Sequence, residues 1–146
     1  MHSQIVAPYS LHYGSEVQHQ RWLPGMAAGT EVGAITMTES STGSDLQSIR
    51  TTAIRDGDEF VINGSKTYIS NGQHCDVVFV VATTDPSLGA KGTSLIVIEA
   101  GTAGFTKGRS LKKPGQAAAD LPSFSLKTVG SPRKIYWARK ARALYG

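Results

Sequence analysis

Hydrophobic and polar positions follow two different patterns along the chain, and the change falls near Val32. Before it, the run SEVQ that begins at Ser15 has the form of a helix capping box, with Ser15 as N-cap and Gln18 bonding back to it. The pattern predicts a helix that ends before Pro24, because proline lacks the backbone donor that a helix needs. Upstream, Ile5–Tyr13 is predicted to be the last turns of another helix.

After Val32, short runs rich in Val, Ile and Thr alternate with turn residues, which is typical of β-strands. Tight hairpin turns are predicted at Asp56-Gly57-Asp58 and at Asn63-Gly64. The strands before and after Asn71–Cys75 are nearly all apolar, which indicates burial on both faces, and Asp85–Lys91 is predicted to be a loop. Strands at this spacing predict an antiparallel sandwich or barrel. The predicted strands are Val32–Glu39, Arg50–Arg55, Glu59–Ile62, Lys66–Ser70, Asp76–Ala82 and Ser94–Glu99.

The composition agrees with one mainly β domain. The chain has 146 residues, of which 40% are hydrophobic and 16 are glycine, and this length is short for a two-domain enzyme. No apolar run approaches the length of a membrane span, and the N-terminus has no apolar signal-peptide core. The single Cys75 cannot form an internal disulfide, so a reducing compartment and a cytoplasmic location are predicted.

The charge is unevenly distributed. The net charge is +4, yet residues 1–120 hold nine basic and eleven acidic residues, a balance of −2. The other six basic residues all lie in residues 121–146, which hold no acidic residue. We therefore predict a boundary between Asp120 and Leu121.

Two polar clusters are candidates for binding chemistry. Thr36–Asp45 (TMTESSTGSD) offers backbone N–H groups and hydroxyls without fixed charge, which suits a phosphate or the edge of a flavin, although such loops are more often plain turns. In Lys66–Gly72 (KTYISNG), Tyr68 could stack on a planar cofactor and Ser70 could bond to its rim. The alternative there is a strand with one inward aromatic residue.

Other chemistries have little support. The four histidines show no metal-ligand spacing, and Cys75 has no second cysteine, so no metal site is predicted. Nucleophile-elbow, Walker and GxGxxG patterns do not occur, which argues against a hydrolase or a nucleotide-phosphate site.

With these clusters in view, the chain resembles the middle region of an acyl-CoA dehydrogenase, and is most similar to the long-chain type. The resemblance follows the family's order over nearly all of residues 5–120. The matching stretches are Tyr13–Gly29, Met37–Ala53, Asp58–Pro86, Gly89–Glu99, Gly104-Phe105 and Gly108–Asp120.

The resemblance implies a fold and a cofactor. In this family an N-terminal helical domain leads into a middle β-barrel and then into a C-terminal helical domain, and FAD lies between the last two. The implied division is the end of the N-terminal helical domain in residues 1–29, the middle β-barrel in 30–120, and an atypical basic tail in 121–146. The C-terminal helical domain, which supplies the catalytic Glu base, is expected to be absent.

The resemblance also assigns residues to the cofactor. The strand from Ile35 through Met37 and Thr38 is expected to run along the flavin, with the Met37 backbone and Thr38 bonding to the ring. Tyr68 takes the position of the aromatic residue that flanks the ring. The resemblance also places Gly43 and Ser44 near the pyrophosphate, with Ser44 facing the acyl-CoA as well. It places Ile69 and Ser70 beside the ring, with Ser70 near the reactive nitrogen.

One departure from the family lies in the first cluster. Ser40-Ser41-Thr42 stands where the family usually has Pro-Gly-Ala or a similar run, so Thr42 replaces a small residue. No acidic residue in the chain takes the place of the base, and Glu39 is interpreted as a motif residue.

The tail invites a separate hypothesis. Reading the codons of Pro122–Leu144 one base earlier permits the string ELFFEDxRVPxENLLGEEGKGFI, which resembles this family at the same point. We therefore predict that a one-base deletion near codons 119–122 put the tail out of frame. The alternative is a genuine basic segment, Ser131–Gly146, that binds nucleic acid or anionic lipid.

The functional prediction is a fragment of an FAD-dependent acyl-CoA dehydrogenase, inactive by itself. The implied partners are fatty acyl-CoA, an electron-transfer flavoprotein and further copies of the parent enzyme in a homo-oligomer, with no nucleic acid and no membrane span. Two alternatives remain open. The chain could be a non-catalytic flavin or acyl-CoA binding module, or a protein that binds nucleic acid or membrane surfaces through its basic tail.

Overall fold

The computed structural model describes residues 2–45, 48–111, 120–132 and 136–137. A π-helical turn (His2–Val6) runs into α1 (Ala7–Tyr13), and α2 (Glu16–Ala28) follows after a short turn. The strands are β1 (Gly33–Thr36), β2 (Thr52–Asp56), β3 (Glu59–Lys66), β4 (Val77–Thr83), β5 (Thr93–Glu99), β6 (Phe105–Ser110), β7 (Pro122–Pro132) and β8 (Tyr136–Trp137). Among the described residues, no helix is both long enough and apolar enough to cross a membrane.

The predicted start of α2 is confirmed. The Ser15 backbone N–H donates to Gln18 Oε1 at 2.7 Å, and the Gln18 N–H donates to Ser15 Oγ at 3.4 Å, which completes the capping box. Two N–H groups that a helix start leaves free are thus satisfied. The predicted helix upstream is also present, as α1 with the π-helical turn before it.

The predicted end of α2 is wrong, because the helix continues past Pro24 to Ala28. Trp22 and Met26, on either side of the proline, are 1% and 5% exposed and pack into the core. Burial of both side chains offsets the hydrogen bond that the proline cannot make. The helix ends instead at Gly29, whose φ of 75° is the left-handed conformation that favours glycine.

The strands form one curled sheet with the order β6-β7-β3-β2-β4-β5-β8, and β1 pairs with β4 beside this path. Most neighbours are antiparallel, as predicted, but β1 pairs with β4 in parallel, and β2 meets β4 in parallel at Thr52 and Thr83. The mainly β class is therefore confirmed, in the form of a curled half-barrel with few and short helices.

The predicted two-sided burial is confirmed for β4, the strand after Asn71–Cys75, but it is wrong for the stretch before it, because Lys66–Ser70 is not a strand and β3 alternates between buried and exposed residues. Strand β5 is buried on both faces like β4, and alternation along each strand explains it. One set of side chains fills the inside of the curl, including Val78, Val80 and Ile96. The other set, including Phe79 and Val97, packs with Trp22 and the π-helical turn. The helices thus cover the outer face of the sheet where β4 and β5 lie.

Two turns differ in their outcome. The hairpin at Asp56-Gly57-Asp58 is confirmed, since Asp56 pairs with Glu59 across it and Gly57 has a φ of 57°. Asn63-Gly64 is not a hairpin, because β3 continues through it with a bulge at which the pairing register with β7 shifts. The Asn63 side chain accepts a hydrogen bond from the Thr128 N–H at 2.8 Å, so it bonds to the neighbouring strand instead of closing a turn.

Two local predictions are wrong. Lys66–Ser70 is not a strand, because β3 ends at Lys66 and Tyr68 has a φ of 59°, which no strand accommodates. Asp85–Lys91 is not a plain loop, since Pro86–Gly92 forms 3₁₀-helical turns that begin at Asp85, whose carboxylate accepts from the Ser87 N–H at 3.0 Å.

The sheet extends beyond the predicted boundary between Asp120 and Leu121. Strand β7 lies between β3 and β6, and its alternating Phe124 and Leu126 are each 2% exposed. The change in charge therefore does not mark the end of the sheet. The proposed change of reading frame stays a prediction, and most of residues 133–146 lie outside the described residues.

Candidate functional site

The two predicted polar clusters come together in the structure. The β1 loop (residues 37–45) follows β1, and the β3 turn (residues 67–72) follows β3. The Thr67 N–H donates to the Thr38 carbonyl at 2.9 Å, which places the two segments side by side. Residues that are about 30 positions apart in the sequence therefore share one site.

A buried carboxylate lies beneath this contact. Glu39 is 6% exposed, and its oxygens accept from the Arg50 N–H at 2.8 Å, the Thr51 N–H at 3.0 Å and the Thr51 hydroxyl at 2.6 Å. Lys66 Nζ donates to Glu39 Oε1 at 2.9 Å and to the Met37 carbonyl at 3.2 Å. Glu39 and Lys66 thus link the start of the β1 loop, the end of β3 and the segment before β2.

The surroundings set the charge states of this pair. Burial by itself would raise the pKa of Glu39, but hydrogen bonds from Thr51, Arg50 and Lys66 outweigh it and lower that pKa below its ordinary value. Burial lowers the pKa of Lys66, and the Glu39 carboxylate opposes that change. Glu39 is therefore ionised at neutral pH and has no free oxygen with which to remove a proton from a substrate.

The β1 loop folds back on itself just after Glu39. The Glu39 N–H donates to the Thr42 carbonyl at 2.9 Å, and the Thr42 N–H donates to the Glu39 carbonyl at 3.2 Å. The Thr42 side chain is 3% exposed and its hydroxyl donates to the Ser48 carbonyl at 2.8 Å, so the residue that departs from the family points into the protein. Gly43 and Ser44 are exposed, and the space around Gly43 is open.

The β3 turn exposes one aromatic ring and buries its neighbour. Tyr68 has a φ of 59° and is 60% exposed, whereas Ile69 is 2% exposed and belongs to the core. The Ile69 N–H donates to the Pro122 carbonyl at 3.1 Å, and the Gly72 N–H donates to the Ile69 carbonyl at 3.1 Å. The turn is therefore anchored through residue 69 and presents residue 68 outward.

Each predicted site residue has a definite place. Met37, Thr38 and Ser70 are half-buried beside the contact between the two segments. Ile35, at 9% exposed, packs in the outer core, so like Ile69 its side chain is part of the core and only its backbone is left for a ligand. Gly43 and Ser44 lie at the exposed end of the β1 loop.

The groups left free at this site fit a neutral polar ring. Among the described residues, no partner is found for the hydroxyls of Thr38 and Ser70, and the buried Thr67 Oγ1 also lacks a hydrogen bond. With the exposed Tyr68 ring, these groups offer uncharged hydrogen bonds and an aromatic surface, which is what the edge and face of a flavin require. This donor set fits FAD.

Sequence reasoning missed Lys66 and Thr51. Lysine at a strand end is usually exposed. Only the alternation along β3 could have indicated that Lys66 is buried, because it places Lys66, beyond the bulge, on the same inward face as Phe60 and Ile62. Its pairing with Glu39 depends on the fold.

The architecture defines a mainly β domain of the half-barrel type, with two polar segments held together by a buried ion pair. The family model described as acyl-CoA dehydrogenase, middle domain, matches residues 34–129. The chain belongs to the acyl-CoA dehydrogenase family. The matched range extends beyond Asp120 and includes most of β7.

Curated relatives and solved structures agree. The chain is 44% identical over 147 residues to the long-chain specific acyl-CoA dehydrogenase, mitochondrial, of Sus scrofa, covering 99% of this chain and 34% of that protein. The acyl-CoA dehydrogenase of Geobacillus kaustophilus has a TM-score of 0.94 and 42% identity over 99% of this chain and 38% of its own. Butyryl-CoA dehydrogenase from Megasphaera elsdenii has a TM-score of 0.89 at 31% identity, with coverage of 93% and 36%. The chain thus spans about a third of the length of the relatives it matches.

Proposed function

We propose that this chain forms the barrel side of the FAD site in an FAD-dependent dehydrogenase that acts on fatty acyl-CoA thioesters. The observation that carries the proposal is the hydrogen bond from Thr67 to Thr38, which joins the two segments that the family resemblance assigns to the flavin. Around it lie hydroxyls that have no partner within the described part of the chain and an exposed aromatic ring, the groups that a flavin needs.

The residues take the following roles in this proposal. The Met37 backbone and the Thr38 hydroxyl bond to the edge of the flavin ring, Tyr68 covers its face, and Ser70 lies near its reactive nitrogen. Ile35 and Ile69 support these groups from the core. Gly43 and Ser44, which are exposed, approach the pyrophosphate, and Ser44 also contacts the acyl-CoA.

FAD, when bound, supplies the acceptor for the hydride that leaves the β-carbon of the thioester. The chain's own residues bind and orient the ring and limit access of water to one of its faces. No residue of this chain is assigned as the base that takes the α-proton. Glu39, the acidic residue closest in sequence to the site, has its carboxylate occupied by four donors.

The wider assignments also belong to this proposal. Residues 1–29 correspond to the end of an N-terminal helical domain and residues 30–120 to the middle barrel, with β7 continuing the sheet. The parent enzyme is a homo-oligomer that passes electrons to an electron-transfer flavoprotein. The cytoplasmic location, the inactivity of this chain by itself and the out-of-frame tail stay predictions, and sequencing the gene across codons 119–122 tests the last of them.

Flavin binding by the purified 146-residue chain tests the proposal. We expect FAD fluorescence to be quenched on titration with the chain. Tyr68→Ala is expected to weaken FAD binding by about 10-fold, because the lost ring contact is worth roughly 1.5 kcal/mol. Tyr13→Ala is the matched control, because Tyr13 is 50% exposed on α1 and Tyr68 is 60% exposed at the site. Absence of binding, or equal loss in the two variants, would contradict the assignment. Salt-sensitive binding of DNA or anionic vesicles by a colourless chain would favour the basic-tail alternative.

A further inference from the structure

We propose that the buried ion pair of Glu39 and Lys66 is a positioning element, which holds the β1 loop and the β3 turn at the separation that the ring of a flavin requires. This inference rests on the proposed flavin site. It assigns no direct contact with the cofactor to either residue.

Both charges are taken out of water. The Lys66 side chain is 0% exposed and that of Glu39 is 5% exposed, and their N–O separation is 2.9 Å. A buried pair of this kind contributes little net stability, because desolvation of the two ions offsets their attraction. Removing one partner, in contrast, leaves a buried charge without compensation and is strongly destabilising. Since the stability gained is small, the geometry that the pair imposes is its main consequence.

That geometry acts on the site from both sides. Lys66 is the last residue of β3, so its position sets where Thr67 and Tyr68 begin. Its ammonium also binds the Met37 carbonyl, and Glu39 is the residue directly after Thr38. A shift of the pair therefore moves the Thr38 hydroxyl and the Tyr68 ring relative to each other.

The β1 loop has few other contacts to hold it. Ser40, Ser41, Gly43 and Ser44 are exposed. Within residues 39–44, the hydrogen bonds to other parts of the described chain are made by the Glu39 carboxylate and the Thr42 hydroxyl. The position of residues 39–44 thus depends mainly on the Glu39 carboxylate with its four donors and on the Thr42 hydroxyl.

A second ion pair in the same fold supplies the matched control. Arg21 donates to both oxygens of Glu99, at 2.6 and 2.7 Å, and joins α2 to the end of β5. The Glu99 side chain is 34% exposed, and the pair touches neither polar segment. Glu99→Gln therefore removes a paired carboxylate without altering the proposed site.

The test compares Glu39→Gln, Lys66→Met and the double variant with Glu99→Gln in the full chain. For each, FAD binding is measured by fluorescence titration, unfolding by urea, and amide hydrogen exchange in residues 37–45 and 67–72. In the double variant neither charge is left unpaired, so we expect it to be more stable than either single variant. We expect the two single variants and the double variant to bind FAD at least about 10-fold more weakly than the parent chain. The affinity of the Glu99→Gln control for FAD is expected to stay within about 2-fold of that of the parent chain. Thr51→Val, which removes only the hydroxyl donor at 2.6 Å, is the milder variant should the others fail to fold.

The outcomes separate this inference from the proposed function. A double variant that folds and binds FAD like the parent chain would show that the pair is merely structural and would overturn the positioning role. If the parent chain itself does not bind FAD, the proposed function fails, and the positioning role is then decided by hydrogen exchange alone. Faster amide exchange of the variants in residues 37–45 and 67–72, with exchange in β4 and β5 unchanged, would support the positioning role. Unchanged exchange in those two segments would overturn it.

Discussion

Replacing Phe124 with alanine tests whether the start of the basic tail is part of the folded sheet. Phe124 lies in β7, beyond the change in charge at residue 120, and is 2% exposed. Its ring meets that of Phe105 edge to face, with centroids 4.9 Å apart and planes at 84°. It also closes over Gly72, where an added Cβ would lie 2.9 Å from Phe124 Cζ.

The magnitude follows from this environment. Truncation of a buried phenylalanine to alanine costs about 3–5 kcal/mol, which combines lost transfer free energy with the cavity left behind. The edge-to-face pair adds about 0.5–1.5 kcal/mol to what the ring contributes. Since domains are stable by roughly 5–15 kcal/mol, Phe124→Ala is expected to remove about a fifth or more of the free energy of unfolding.

Urea unfolding, followed by circular dichroism and by tryptophan fluorescence, measures this loss. For a slope near 2 kcal/mol/M, a loss of about 4 kcal/mol lowers the midpoint by roughly 2 M. Lys127→Ala, in the same strand but exposed, is the control and is expected to change the free energy by less than about 0.5 kcal/mol. If Phe124→Ala unfolds like the parent chain, β7 is not part of the stable sheet and our account of the core is wrong.

Three further predictions concern two glycines, the N-terminal cap of α2 and the buried carboxylate. Gly64→Ala should destabilise the chain by more than about 2 kcal/mol, because the added Cβ would lie 2.8 Å from Thr51 Cα. Gly57→Ala places its Cβ in open space and should cost only about 1 kcal/mol, because the φ of 57° is unfavourable for alanine. The midpoints of urea unfolding compare the two variants. Ser15→Ala should cost about 1 kcal/mol through loss of the helix cap, seen as a lower midpoint in thermal unfolding followed at 222 nm. The pKa of Glu39 is lower in the folded state than its ordinary value of 4.5. The ionised carboxylate therefore contributes fully to the free energy of unfolding above pH 4.5, and this contribution is lost as the pH falls through the lower pKa of the folded state. The difference in unfolding free energy between the parent chain and Glu39→Gln should therefore shrink below about pH 4.5, and a constant difference down to pH 3 would argue against the assigned charge state.

Local patterns in the sequence determined much of the fold. The capping box at Ser15, the hairpin at Gly57 and the burial of β4 on both faces depend on neighbouring residues and on strand alternation. The two polar clusters were recognisable for the same reason, since the types of residue in each cluster carry its chemistry. The sequence also carried the family resemblance that assigns those clusters to a flavin.

Tertiary structure decided what depends on distant partners. Pro24 stays within α2 because Trp22 and Met26 pack against the sheet. Asn63 stays within β3, opposite an extra residue of β7, and its side chain accepts a hydrogen bond from that strand instead of closing a turn. Lys66 and Glu39 are 27 residues apart, and nothing in either local pattern pairs them. A buried charge is tolerated only where the fold brings an opposite charge and hydrogen-bond donors to it, so the residues that hold the site together were visible only after the chain had folded.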